Sequence, residues 1–259
     1  MKARIKFRKY GALRFIGHLD VMRFFQKVMR RADIPIAFTG GYSPHMIMSF
    51  ASPLGIGLSS DGEYFDIELT EPISSNEAVR RMNEACVEGI EVLSFRKISD
   101  EKKMTGMTIL AGADYLVSLR KGTLPDDWKE KFREFMSMPE IRIVKQTKRS
   151  EREVDIRPLI YQWELRGDDI FLQLAAGSSE NLKPDLVMEA FMDYAGIGAA
   201  DTETVKNGGG TEDAGGGHET GEEREMPVFS YHRLEMYADC GKDGERRLVT
   251  LEHLGEELE

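Results

Sequence analysis

Hydrophobic and polar positions alternate from the first residues of the chain. Ala3, Ile5 and Phe7 interleave with Lys2, Arg4, Lys6 and Arg8, the two-residue period of a strand with one buried face. The period then lengthens. Val21, Phe24, Phe25, Val28 and Ala32 recur at helical spacing, which predicts a helix from about His18 to Ala32, stopped by Pro35. Asp20 falls in its first turn and Arg30 and Arg31 in its last, each the sign that its helix end favours. Met46 to Ala51 and Tyr64 to Leu69 read as strands. Ser74-Ser75-Asn76-Glu77 makes a capping box, and Ala78, Val79, Met82, Ala85 and Cys86 give the following helix one apolar face. Gly89 ends it before a strand over Ile90 to Phe95. The order β-α-β-β-α-β is that of a ferredoxin-like unit, placed here at residues 1–98.

The same kinds of element recur. Tyr115, Val117 and Leu119 alternate as a strand, and Pro125 opens a helix carrying Trp128, Phe132, Phe135 and Met136. Ile141 to Gln146, Arg152 to Ile156, Tyr161 to Leu165 and Ile170 to Leu174 read as strands. Pro184 starts a helix with Val187, Ala190, Phe191 and Tyr194 on one face, and Phe229 to Tyr237 is a last strand. The expected fold class is α+β: two ferredoxin-like units in tandem, the second decorated and built from residues 106–196 and 228–238. Residues 197–227 are rich in Gly, Glu and Asp with little to bury, so a disordered linker is expected there. An acidic, solubilising tail is expected at 239–259.

Charge is unevenly placed. The formal net charge is −10 over 259 residues, yet basic and acidic side chains balance through residue 200 and the whole deficit follows it. Residues 1–35 set ten Lys and Arg against only Asp20 and Asp33. Such an end is either a solvated charged face or a surface that attracts a polyanion. No apolar run reaches the roughly 18–20 residues that cross a bilayer, and MKARIKFRKY lacks the apolar core of a signal peptide. Cys86 and Cys240 are the two cysteines; they suit a reducing, cytoplasmic setting and are too few to ligate an iron–sulfur cluster.

Candidate chemistry concentrates between Phe15 and Leu58. Arg23, Lys27, Arg30 and Arg31 recur at three- and four-residue spacing opposite the apolar helix face. They form either an ordinary amphipathic surface, with an Asp20–Arg23 pair worth about a few tenths of a kcal/mol, or a ridge that tracks phosphates. Gly40-Gly41 then frees the backbone, and Tyr42, Ser43 and His45 offer a ring, a hydroxyl and an imidazole around Pro44. The polar run exceeds the roughly two to five residues of a hairpin turn, so it is either a binding loop or a long connection. His18 and His45 would meet at the helix N-terminus, where anions bind, with either one serving as a general acid/base, or His18 is simply a cap. Ser43 and His45 lack the strand-turn-helix elbow of a hydrolase nucleophile, and the two histidines without a nearby cysteine make no zinc set. Lys145, Lys148 and Arg149 form a basic turn, either a solvated tip or a second nucleic-acid contact. On the sheet, Arg4, Lys6 and Arg8 would face outward against Tyr64, Asp66 and Glu68, a self-neutralising ladder without the aromatic platform of an RRM. RNA would therefore use the helix and loop.

Several of these residues carry a resemblance. His18-Leu19-Asp20, Arg23, Pro44-His45 and Glu63-Tyr64, within a segment running from Phe15 to Leu69, resemble the bacterial radical-SAM-linked family. Its members stand beside, or are fused to, a B12-binding radical SAM protein. The resemblance continues through Lys145–Ile160 and covers the chain to about residue 195. It implies an accessory protein with no cofactor of its own, whose partner enzyme carries S-adenosylmethionine, an iron–sulfur cluster and cobalamin. The expected function is to bind RNA, tRNA or rRNA, and present it to that enzyme. Arg23, Lys27, Arg30 and Arg31 would hold phosphates, with Tyr42, Ser43 and His45 at the reacting nucleotide or the partner. The rivals are a metal-independent endoribonuclease using His18 or His45, and a protein-only scaffold.

Overall fold

The structure is a computed structural model that describes residues 1–146, 151–197 and 225–259. Its strands are β1 (Lys2–Lys9), β2 (Met48–Phe50), β3 (Ser59–Glu68), β4 (Ile90–Ile98), β5 (Leu110–Lys121), β6 (Arg142–Gln146), β7 (Glu151–Asp155), β8 (Ile160–Arg166), β9 (Asp169–Ala175), β10 (Val228–Asp239) and β11 (Leu248–Thr250). The helices are α1 (His18–Arg31), α2 (Ser75–Ala85), the single turn α3 (Gly106–Ile109), α4 (Trp128–Ser137) and α5 (Pro184–Ala195). The fold is mixed α+β with a mostly antiparallel sheet. Its contacts divide the chain into two units: one of Met1–Ser118, Pro158–Pro184 and Ser230–Glu259, the other of Leu119–Arg157 and Asp185–Phe229.

The first unit is built on a nine-stranded sheet in the order β4-β1-β3-β10-β5-β9-β8, with β2 on β3 and β11 on β10. The edge of β3 is divided between two neighbours. Phe65 to Ile67 pairs antiparallel with β2, whereas Ser59 and Ser60 pair parallel with His232 and Arg233 of β10. Gly62 lies where β10 presses in. A Cβ there would come within 2.7 Å of the Glu235 Cα and the Leu234 carbonyl oxygen, so only glycine admits that approach.

One face of this sheet follows the alternation. Ala3, Ile5, Phe7, Phe65, Ile67, Val92 and Phe95 are buried beneath Val21, Phe25, Val28 and Met29 of α1 and Ala78 and Met82 of α2. Phe7 and Phe25 meet edge-on at 4.7 Å, a favoured aromatic geometry. At α2 half of the expected capping box forms. The Glu77 amide donates to Ser74 Oγ at 3.3 Å, but the Glu77 carboxylate turns to Arg80 and Arg81 instead of the cap.

The other face corrects the expectation of an outward charge ladder. The predicted neighbours do pair, Arg4 with Asp66 and Lys6 with Tyr64, yet Arg4, Tyr64 and Asp66 are buried. Arg4 Nε donates to Asp66 at 2.8 Å, while its two Nη groups reach the carbonyls of Leu251 and Met104. Lys6 meets Glu235 at 2.6 Å and Glu252 at 3.3 Å, and the Tyr64 hydroxyl donates to Glu235. The partners from beyond residue 234 show that the expected acidic tail at 239–259 is not one. β11 extends the sheet, Leu251 is 0% exposed, and Leu258 packs against the core. A few apolar residues in an acidic composition are enough to fold it down.

The second unit holds α4, α5 and the β6–β7 hairpin. Phe132, Phe135 and Phe191 form its centre, with Phe132 and Phe191 4.9 Å apart. The hairpin pairs Arg142 with Asp155 and Ile143 with Val154. The stretch expected to be a disordered linker lies outside the described residues from 198 to 224.

Candidate functional site

Helix α1 separates its two kinds of side chain as its periodicity requires. Val21, Phe25, Val28 and Met29 point into the core, and Arg23, Lys27, Arg30 and Arg31 are exposed. Arg23 has a loose, solvent-facing partner in Asp20 at 3.5 Å. Lys27, Arg30 and Arg31 have no carboxylate within ion-pair reach among the described residues. Arg31 also borders an open groove with Asp33, Arg81, Glu84 and Cys86. Lys27, Arg30 and Arg31 can each take a phosphate oxygen without giving up a carboxylate partner among the described residues.

The glycine-rich loop is a hairpin rather than an irregular connection. Ile36 bridges Leu69, and Phe38 bridges Met46. The Thr39 amide donates to the His45 carbonyl and the Ile47 amide to the Ala37 carbonyl, both at 2.9 Å. Gly41 turns the tip with φ +104, and Gly40 to His45 are all exposed, Tyr42 fully so. The His45 ring is held by its own hairpin, Nδ1 lying 3.1 Å from Thr39 Oγ1.

His18 and His45 are not brought together. The His18 ring stands edge-on to Phe50 at 5.1 Å. The register that places Phe50 on Phe65 and Met48 on Ile67 carries the chain before Met48 past the end of β3. From Phe50 back to His45 the chain covers about 16 Å at ~3.3 Å per residue. The glycine hairpin therefore stands at the far end of β3 from the start of α1.

His18 instead borders a narrow cleft with Phe7, Lys9, Phe50, Ser52 and Glu63. Lys9 is 2% exposed. Its amine donates only long bonds, 3.4 Å to the carbonyls of Arg14 and Ile16, and no carboxylate is within ion-pair distance among the described residues. Burial lowers its pKa below 10.5, and Glu63 opposes that shift. Glu63 is equally buried but firmly paired, with Arg233 Nη1 at 2.9 Å. Burial pushes the Glu63 carboxyl up, and the Arg233 charge pulls it back. Arg233 also donates to the Tyr115 hydroxyl at 3.2 Å and, at 3.4 Å, to the Ser52 carbonyl. The open space at the cleft's centre admits about one water molecule. The sequence alone assigns no site role to Lys9, Glu63 or Arg233; its signals are Glu63 within the Glu63-Tyr64 pair of the family resemblance and a lysine closing a strand whose inward positions are otherwise apolar.

The remaining predicted contacts belong to the other unit. Lys145 pairs with Arg152 in the β6–β7 ladder, while Lys148 and Arg149 lie outside the described residues. Among the described residues no cluster of three or more His, Cys, Asp or Glu gathers as metal ligands, and no helix is long and apolar enough to cross a membrane.

The family described as "Uncharacterized protein conserved in bacteria (DUF2344)" matches residues 2–184. No curated protein matches the chain. Among solved structures, the crystal structure of a Cbf5-Nop10-Gar1 complex contains a similar chain, 12% identical, with a TM-score of 0.42 over 90% of this chain and 48% of that one. The archaeal box H/ACA sRNP Nop10-Cbf5 complex contains another, 11% identical, with a TM-score of 0.31 over 74% and 42%. This chain thus spans less than half the length of either.

Proposed function

The chain belongs to that bacterial family, and we propose that it is an RNA-binding accessory protein that presents tRNA or rRNA to a separate radical SAM enzyme. The observation that carries the RNA reading is the flank of α1. Arg23, Lys27, Arg30 and Arg31 lie exposed along it, and three of them lack a carboxylate partner among the described residues. Ion pairing normally absorbs such charges, as it does for Arg80 and Arg81 on α2. Cations left open on one rigid face suit a row of phosphates, each contact releasing counterions. The exposed ring of Tyr42 offers a stacking surface for an unpaired base. Ser43 and His45 would act beside it, and Lys145, Lys148 and Arg149 would be a second nucleic-acid contact.

The radical SAM partner rests on the family resemblance of the segment from Phe15 to Leu69, and its S-adenosylmethionine, iron–sulfur cluster and cobalamin would be the partner's own. The fold reading that goes with it is two ferredoxin-like copies. Written in chain order, β4-β1-β3-β2 and β10-β5-β9-β8 are the same arrangement twice, which supports a duplicated unit. Cleavage by His18 or His45 is the less favoured reading, since the His18 ring packs on Phe50 and the His45 ring is held by Thr39. The test is retention of total tRNA at low salt by the purified protein and by Arg23→Glu with Lys27→Glu. Loss of retention in the double variant is expected; equal binding by both proteins overturns the reading.

A further inference from the structure

Where β10 meets the start of β3, three side chains form a connected row. The Ser59 Oγ lies 2.8 Å from Nδ1 of His232, and Nε2 of the same ring lies 3.0 Å from Asp61 Oδ2. The strand register dictates this meeting. His232 and Ser59 are direct partners in the parallel β10–β3 pairing, and Asp61 follows two positions later on the same strand. The row is reachable from solvent, with the His232 side chain 28% and that of Asp61 52% exposed.

The proton positions follow from the donors available. An ionised carboxylate only accepts, so Asp61 fixes the imidazole proton on Nε2. In the neutral ring Nδ1 then carries a lone pair, and the Ser59 hydroxyl donates to it. That is the ground state of an activated serine: a nucleophile bonded to a base, and the base oriented by a third group. Nearby on β1, Arg8 is ion-paired with Glu91.

We propose that Ser59, His232 and Asp61 form a catalytic triad that hydrolyses carboxylic esters, an activity independent of RNA binding. Ser59 Oγ attacks the acyl carbon as its proton passes to His232 Nδ1, and Asp61 stabilises the imidazolium. The ester C–O bond breaks, and His232 returns the proton to the departing alkoxide. Water then attacks the acyl-serine, giving a proton to His232 that passes back to Ser59 as the acid leaves. Each turnover consumes one ester and one water and yields one acid and one alcohol. One base that moves one proton at a time suffices for acyl transfer.

The test treats the full chain with a fluorophosphonate probe and maps the adduct by mass spectrometry, alongside hydrolysis of p-nitrophenyl acetate. Labelling at Ser59 is expected, with labelling and hydrolysis falling about a hundred-fold or more in Ser59→Ala and His232→Gln. Asp61→Asn is expected to lower both while leaving the protein folded by circular dichroism. No adduct on Ser59 of the parent protein overturns the proposal. So does labelling that is unchanged in a folded His232→Gln.

Discussion

Glu63 and Arg233 meet at 2.9 Å, both about 95% buried, where β3 exchanges β2 for β10 as its neighbour. The pair is the electrostatic seam of the sheet. Removing one partner leaves the other charge in a medium that cannot solvate it. Glu63→Gln is expected to lose about 3–5 kcal/mol of stability, measured by urea unfolding. Replacing both, Glu63→Leu with Arg233→Met, should recover most of that loss, because two matched apolar groups carry no desolvation cost. A double variant as unstable as the single one would show that the pair does more than cancel its own burial.

Lys9 gives a prediction of opposite sign. Burial holds its pKa below 10.5, so the unfolded chain binds the proton more tightly than the folded one. Stability therefore contains a Lys9 contribution that rises with pH from the folded pKa up to about 10.5. The groups facing the amine are Glu63, Arg233 and His18. Lys9→Met removes the titrating amine and leaves the Glu63–Arg233 pair in place. Its Tm at neutral pH is expected to equal or exceed that of the parent, with a flatter rise on the alkaline side. Parallel Tm-against-pH curves for the two proteins would contradict this.

The C-terminal segment carries structural weight. Leu251 is fully buried and its carbonyl accepts from Arg4, while the Leu258 amide donates to Ser75 Oγ at 2.9 Å. Leu251→Ala is expected to cost about 2–5 kcal/mol, the range for a large core side chain cut to a methyl. Glu257→Ala, whose partner Arg96 is near the surface, should cost less than about 1 kcal/mol. Thermal unfolding of the two variants checks the contrast.

If RNA runs along α1, its binding should carry a steep salt dependence that each charge on the helix feeds. Lys27→Ala is expected to lower the slope of log K against log salt by roughly one, while Tyr42→Ala should weaken binding by about 1–3 kcal/mol without changing the slope. Filter binding across a salt series separates the two effects. A Tyr42→Ala variant that shifts the slope instead would place the ring against the backbone rather than a base.

Local periodicity made part of this visible beforehand. The bounds of α1 follow from Val21, Phe25 and Val28, and its exposed cations from the same spacing. The pairing of Arg4 with Asp66 follows from strand order. What lay hidden depends on distant residues. Glu63 and Arg233 are 170 positions apart, and nothing around either one announces the other. The covering of Arg4, Lys6 and Tyr64 arises from residues beyond 234, whose acidic composition masks Leu251 and Leu258. His18 and His45 both sit in a chemically rich stretch, yet the β2–β3 register parts them, and a register is not written in composition.

The divided edge of β3 has a consequence for synthesis. The strand that joins β3 to β5 is β10, which leaves the ribosome only after everything else in the sheet except the short β11. Until residue 239 has been made, β4-β1-β3 and β5-β9-β8 stand as two half-sheets, the β3 rim covered by β2 only at Phe65 to Ile67, and bare rims recruit strands from other molecules. A nascent chain halted in the glycine-rich stretch before β10 is thus the species most in need of a chaperone.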